Sequence, residues 1–170
     1  NPGTVDKQSL KVYYYAGINR LSMGLQSARS EELAVLGRIH SYEQFLEAYF
    51  TAREIGFLNI NVDIMSGLPG QSLEDYLETL SKVTALDPPP EHISAYSLIV
   101  EEGTPFYEAY ERDELNLPDE ETDRRMYEAT RSFLQQKGYE RYEISNYAKK
   151  GFECRHNIGY WERKNYVGFG

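Results

Sequence analysis

The clearest signal along the chain is a change of hydrophobic period. Over residues 59–65, Ile60, Val62 and Ile64 fall on one side, and Asn59, Asn61, Asp63 and Met65 on the other. A period of two predicts a β-strand with one apolar and one polar face. Gly67-Leu-Pro-Gly70 then breaks the run as a turn, and Ser72, with Asp75 three residues on, predicts a capped helix to about Leu86. The same unit recurs. Residues 19–26 set Leu21, Met23 and Leu25 against Ser22, Gly24 and Gln26; residues 92–100 set Ile93, Ala95, Ser97 and Ile99 against Ser94, Tyr96 and Leu98. Further helices are predicted from a Thr4 start to about Ala16, near residues 31–36, from a Ser41 cap to Ile55, over residues 106–112 and over residues 119–137. A short fourth strand is predicted at residues 139–144. The three prolines from Pro88 to Pro90 make a loop, and the tail from Asn146 shows little periodicity.

Strands that alternate with helices pair in parallel through right-handed crossovers. Strands of an open doubly wound sheet would be apolar on both faces. Here Ser22 and Gln26, Asn61 and Asp63, and Ser94 and Tyr96 keep one face polar, as on the inside of a barrel around a polar ligand. Three such units do not close a barrel. Composition narrows the partners. The 170 residues carry a net charge of −9, which disfavours nucleic acid and anionic membranes. A single cysteine, Cys154, excludes a disulfide framework and any Cys-x-x-Cys metal site within this chain. A cytoplasmic location is expected. Fifteen tyrosines cluster toward both ends, as amphipathic packing residues.

Three stretches carry a resemblance: Leu21-Ser-Met-Gly-Leu-Gln-Ser27, Leu36-Gly-Arg-Ile-His40 and Asn61-Val-Asp-Ile-Met-Ser-Gly-Leu-Pro-Gly-Gln71. In this order they resemble the oxygen-independent coproporphyrinogen III oxidase family of radical S-adenosylmethionine (SAM) proteins. Ile93-Ser-Ala-Tyr-Ser-Leu98 and Glu102-Gly-Thr-Pro105 extend the likeness over nearly the whole chain. The family divides. Its oxidases decarboxylate two porphyrinogen propionates to vinyl groups; a sister branch of heme chaperones binds heme and hands it to acceptor proteins. Residues 154–161, Cys-Arg-His-Asn-Ile-Gly-Tyr-Trp, are similar to the chaperone branch's His-Asn-x-x-Tyr-Trp heme motif, and Asn1-Pro-Gly-Thr4 also matches that branch.

The resemblance implies an α/β fold, a partial parallel (β/α)6 barrel of which about half is present, followed by the start of an α+β extension. Residues 1–112 would be the barrel portion and residues 113–170 the linker helix and the start of the family's C-terminal domain. The family's Cys-x-x-x-Cys-x-x-Cys loop is not in this sequence. The chain is therefore expected to be an internal fragment, inactive by itself, with the ligands of a [4Fe-4S] cluster outside it. For the full protein the resemblance implies SAM, a [4Fe-4S] cluster and heme as cofactors. Heme and heme-acceptor proteins, or a porphyrinogen substrate, would be its partners, with weak membrane association through those acceptors.

On the residues alone, Asp63 caps a loop or binds a ligand, and Arg38 pairs with a surface acid or a ligand. The resemblance assigns Gln26, Arg38 and Asp63 to SAM, with the Ile99 backbone beside adenine. It assigns His156 to heme as an axial ligand, with the Cys154 thiolate as a rival. Gly67–Gly70 is turn geometry, since no Lys-Ser/Thr pair follows as a phosphate loop requires. His40 and His92 are expected to be structural, and the acids from Glu108 to Glu121 a solvated surface. A non-catalytic binding domain derived from the barrel remains the reading from another class.

Overall fold

Each strand–helix unit forms where alternation and caps place it, and the polar and apolar faces sort to opposite sides of one sheet. The structure is a computed structural model that describes residues 2–167, so Asn1 of the opening turn and residues 168–170 lie outside it. Strands β1 (Leu21–Gln26), β2 (Ile60–Ser66) and β3 (His92–Ser97) pair in parallel. Two short strands follow, β4 (Glu140–Arg141) and β5 (Asn146–Ala148), in the sheet order β1-β2-β3-β5-β4. The sheet is unclosed, as expected of a partial barrel. Seven helices accompany it among the described residues: α1 (Lys7–Tyr15), α2 (Ser30–Val35), α3 (Tyr42–Ile55), α4 (Leu73–Thr84), α5 (Pro105–Glu111), α6 (Glu120–Gln136) and α7 (Arg155–Trp161). None of them is long and apolar enough to cross a membrane.

The apolar face packs under helices. Ile60, Val62, Ile64 and Ile93 are fully buried against Phe45 and Tyr49 of α3, Leu80 and Val83 of α4, and Met126 and Leu134 of α6. Each such side chain contributes about 1.5–3 kcal/mol on leaving water. Tyr76 is buried too, and its hydroxyl meets Thr130 Oγ1 at 2.8 Å, which joins α4 to α6.

The helix starts follow local chemistry. Ser41 and Ser72 form reciprocal capping boxes with Gln44 and Asp75. The Ser72 hydroxyl, then its backbone N–H, hold the Asp75 carboxyl below its ordinary pKa. The first helix differs from expectation: its cap is Asp6, not Thr4. The Asp6 carboxylate accepts from Ser9 N at 2.8 Å and Ser9 Oγ accepts from Asp6 N at 3.0 Å. Residues 2–4 form a separate 3-10 turn.

Three further expectations are corrected. β3 ends at Ser97 rather than Val100, because β2 runs out at Ser66; Leu98 N donates to Ser66 O at 2.8 Å as the last rung. The strand expected at residues 139–144 shrinks to Glu140–Arg141, since Tyr139 turns away and its hydroxyl donates to Pro90 O at 2.6 Å. The tail is not irregular: β5 pairs antiparallel with β3, and α7 follows.

The Pro88–Pro90 loop is locked from α3. Arg53 Nη2 lies 2.9 Å from Glu91 Oε2, with both side chains largely but not fully buried, and also donates to Pro89 O and Tyr49 Oη. Glu91 Oε2 in turn accepts from Ile60 N at 3.0 Å, which seats the start of β2.

Candidate functional site

The polar face opposite the helices carries a continuous hydrogen-bonded array. Asp63, midway along β2 and half-buried, accepts from Asn61 Nδ2 at 2.6 Å and from Ser22 Oγ at 3.2 Å. Gln26 reaches the same face by an unusual route. The β1–β2 register slips between Gly24 and Gln26, and Gln26 takes a left-handed backbone with φ of 71°. Its side chain folds back over Gly24, where an added Cβ would stand 2.7 Å from Gln26 Nε2. Gln26 Oε1 accepts from Tyr96 Oη at 2.9 Å. Burial first, and then the Asp63 charge, raise the Tyr96 pKa, while the Gln26 bond and the Arg38 charge oppose them. Gln26, Asp63 and Tyr96 thus share one patch, within the field of Arg38.

Arg38 itself is exposed, just after α2. Ile99 lies past the end of β3 and is 75% exposed, outside the strand where the alternation placed it. His156 lies apart from all of these, on α7.

A second polar cluster roofs the strand ends. Glu32 is buried and accepts from Ser27 Oγ at 2.5 Å and Gln71 Nε2 at 3.0 Å, and Thr79 Oγ1 accepts from Ala28 N at 3.2 Å. These bonds tie the loop after β1 to the turn after β2. Gly67 and Gly70 both have positive φ, and Gly70 N donates to Asn116 O at 2.7 Å. The turn therefore has a structural partner. Ser97 Oγ donates to Asp123 Oδ1 at 2.8 Å, and Gly67 leaves the space that this carboxylate occupies.

The array extends beyond the candidate residues. Asn61 spends both Nδ2 hydrogens on Ser22 and Asp63, so its Oδ1 is an acceptor. His92 Nδ1, 2.6 Å from that oxygen, therefore carries the ring proton, and Nε2 accepts from Tyr142 Oη at 2.8 Å. The Tyr142 oxygen accepts in turn from Cys154 N and Asn157 Nδ2, each at 3.3 Å. Ser94 Oγ lies 2.7 Å from Asn146 Oδ1, which brings β5 into the same array. The link to Tyr142 was missed from sequence, because 50 residues separate the partners and no spacing marks them. The available signal was parity: His92 shares its face with Ser94 and Tyr96.

Burial, followed by the positive charge of Arg20, lowers the His92 pKa from 6.5 to about 3. The unfolded chain takes up this proton near pH 6.5 and the folded chain does not until about pH 3. The stability contribution is therefore whole above the unfolded pKa and is lost progressively as pH falls toward the folded one. The slope approaches about 1.4 kcal/mol per pH unit. Urea midpoints followed from about pH 7 to pH 4 should show this slope, reduced in His92→Gln. An unchanged slope in that variant would refute the assignment.

His40 is also buried, with Nε2 donating to Leu25 O at 3.2 Å, and burial lowers its pKa. Near the chain end, the His156 ring meets Tyr160 edge-on at 4.7 Å, and Tyr160 meets Tyr166 at 4.9 Å. His156, Tyr160 and Tyr166 line an open cleft of about 190 Å³ together with Arg155 and Lys164. Among the described residues no group of three or more His, Cys, Asp or Glu is placed to hold a metal ion.

Comparison with known proteins agrees with this architecture. The radical SAM superfamily model matches residues 1–83. The whole chain is 42% identical to "Heme chaperone HemW" of Bacillus subtilis (strain 168), covering 44% of that relative. It is 41% identical to the protein of the same name from Escherichia coli (strain K12), covering 43% of it. It is 36% identical to "Radical S-adenosyl methionine domain-containing protein 1, mitochondrial" of Danio rerio, covering 38% of it. The chain thus spans less than half the length of these relatives. Among solved structures, the Escherichia coli coproporphyrinogen III oxidase HemN, described as a radical SAM enzyme, superposes with a TM-score of 0.75 at 27% identity. That match covers 95% of this chain and 36% of the oxidase. Fold, polar inner face and relatives converge: residues 1–83 carry a radical SAM domain, and the chain as a whole is similar to the heme chaperones and to the coproporphyrinogen III oxidase.

Proposed function

We propose that the full-length protein is a cytoplasmic heme chaperone that binds SAM on the inner face of this sheet and heme through His156. The residues fit the nucleoside. Asp63 spends only part of its acceptor capacity on Asn61 and Ser22, which leaves lone pairs for a ribose diol. With Oε1 held by Tyr96, Gln26 offers its Nε2 to an acceptor. Arg38 would meet the methionine or ribose side, and the Ile99 backbone the adenine. A left-handed non-glycine residue costs about 1–2 kcal/mol, and such strain at Gln26 is in keeping with a ligand site. A [4Fe-4S] cluster, held by cysteines outside these residues, would supply the electron for SAM chemistry when bound.

One observation carries the chaperone reading: the whole chain is 42% identical to a heme chaperone and 27% identical to the coproporphyrinogen III oxidase. His156 is exposed beside a cleft of about 190 Å³, where it can meet one edge of a macrocycle. A neutral imidazole is a common axial ligand, and Tyr160 and Tyr166 offer rings for the macrocycle. Coproporphyrinogen III oxidation is the second reading, favoured by the structural likeness at lower identity. Heme-acceptor proteins are the proposed partners, and the net charge of −9 argues against nucleic acid.

The test separates the two ligands. In the cluster-reconstituted full-length protein, Asp63→Ala should weaken SAM binding by about tenfold to a hundredfold, the value of one or two charge-assisted hydrogen bonds. Hemin titration should be unchanged. Equal SAM affinity in the variant would remove Asp63 from the site.

A further inference from the structure

Helix α7 is seven residues long, has no side-chain cap at Cys154 and contains no buried residue. A helix this short does not hold itself in water; isolated helices need about 12–15 residues even to be marginal. Something else must keep it formed and oriented. Among the described residues, its hydrogen bonds to other elements end on two neighbours in the β4–β5 turn. The Tyr142 hydroxyl accepts from Cys154 N and Asn157 Nδ2, and the Glu143 carboxylate accepts from Trp161 Nε1 at 3.1 Å. Asn157 and Trp161 are four residues apart and share a helix face; His156 and Tyr160, displaced by one residue, share the next. The His-Asn-x-x-Tyr-Trp stretch thereby divides into a tethered face and a presented face.

The geometry points to Tyr142 as a positioning residue. Its hydroxyl pins α7 to the His92–Asn61–Asp63 array through the buried His92, so that His156 and Tyr160 face outward together. The phenol is itself held at both ends. It donates to His92 Nε2 at 2.8 Å, and its ring packs edge-on against the imidazole at 5.6 Å. Asn157 acts through Tyr142, and Trp161 acts through Glu143, which is fixed by Asn146 Nδ2 at 2.5 Å and Ser145 N at 2.9 Å. The consequence for heme rests on the proposed function; the tether itself does not.

Two arms keep these apart. The first is amide hydrogen exchange of the ligand-free full-length protein. Tyr142→Phe removes one oxygen and keeps the ring, and should speed exchange over residues 155–161 about tenfold while β2 and β3 keep their protection. Asn157→Ala alone should speed it less, and Tyr142→Phe/Asn157→Ala no more than Tyr142→Phe, because both act through one hydroxyl. Unchanged exchange in Tyr142→Phe, or strictly additive effects, would overturn the proposal. In the second arm, hemin affinity of Tyr142→Phe should fall severalfold, with the Soret position of the His156-ligated form kept. Full hemin affinity despite faster exchange would overturn the positioning role. A wild-type protein with no His156-dependent Soret band would instead defeat the heme reading, and leave the exchange arm to decide the tether.

Discussion

Arg53→Met should lower the stability of the full-length protein by about 3–5 kcal/mol, read as a loss in urea denaturation. The figure follows from what is left behind. Arg53 and Glu91 side chains are only 8% and 12% exposed, so removal of the guanidinium strands a carboxylate with little access to water. The loss spreads. Arg53 also donates to Phe57 O at 3.1 Å and to Tyr49 Oη at 2.7 Å, and Tyr49 donates to Pro88 O at 2.8 Å. Burial pushes the Tyr49 phenol up to about 12, so it stays neutral beside Glu91, and a phenol has no cationic form to replace the guanidinium. Adding Glu91→Gln should recover about 1–2 kcal/mol, since the amide oxygen still accepts from Ile60 N without a buried charge. A single-variant loss within about 1 kcal/mol, the range of an exposed ion pair, would show that the pair is solvated.

His156→Ala should abolish the His-ligated Soret band of the hemin-loaded full-length protein and weaken hemin binding at least about a hundredfold. Loss of a partner behind a metal ligand already costs roughly ten- to a hundredfold, and loss of the ligand itself exceeds that. Among the described residues no other imidazole is placed to substitute: His40 and His92 are buried, each bonded within the fold. Cys154 is the rival. It is half-buried and does not line the cleft that His156 lines. Cys154→Ser should therefore leave the spectrum as it is. A normal band in His156→Ala, lost in Cys154→Ser, would exchange the two roles. SAM affinity should not change in either variant, which makes this the converse of the Asp63→Ala experiment.

Much of the barrel portion was legible along the chain. Alternation at residues 60–65 separates Ile60, Val62 and Ile64 from Asn61 and Asp63, because successive Cβ atoms of a strand leave opposite faces. The Ser41 and Ser72 caps were equally plain, since a capping box is completed within four residues. The same locality explains the error at the first helix. Thr4 and Asp6 are both able to cap, and only the second finds a reciprocal partner, Ser9.

Non-local features were not legible. β3 stops at Ser97 because its neighbour stops, which no pattern within residues 92–100 records, so Ile99 looked like a strand residue. β5 has three residues and gains its place by pairing with β3, too short for a period to show. Gln26 carries an ordinary name; its left-handed backbone is imposed by the slip in register against β2.

The sequence by itself therefore determined the alternating strands, the polar inner face with Asp63 on it, the capped helices and a tail motif with an imidazole. Those are short-range properties, set by backbone geometry and by neighbours a few residues apart. Only the tertiary structure decided that Gln26 and Tyr96 close on one patch beside Asp63, and that Arg53 locks a loop 38 residues away. It alone joined the inner face to the tail, through a histidine and a tyrosine 50 residues apart. Such contacts depend on how the strands come into register and on which polar groups must find partners once water is excluded.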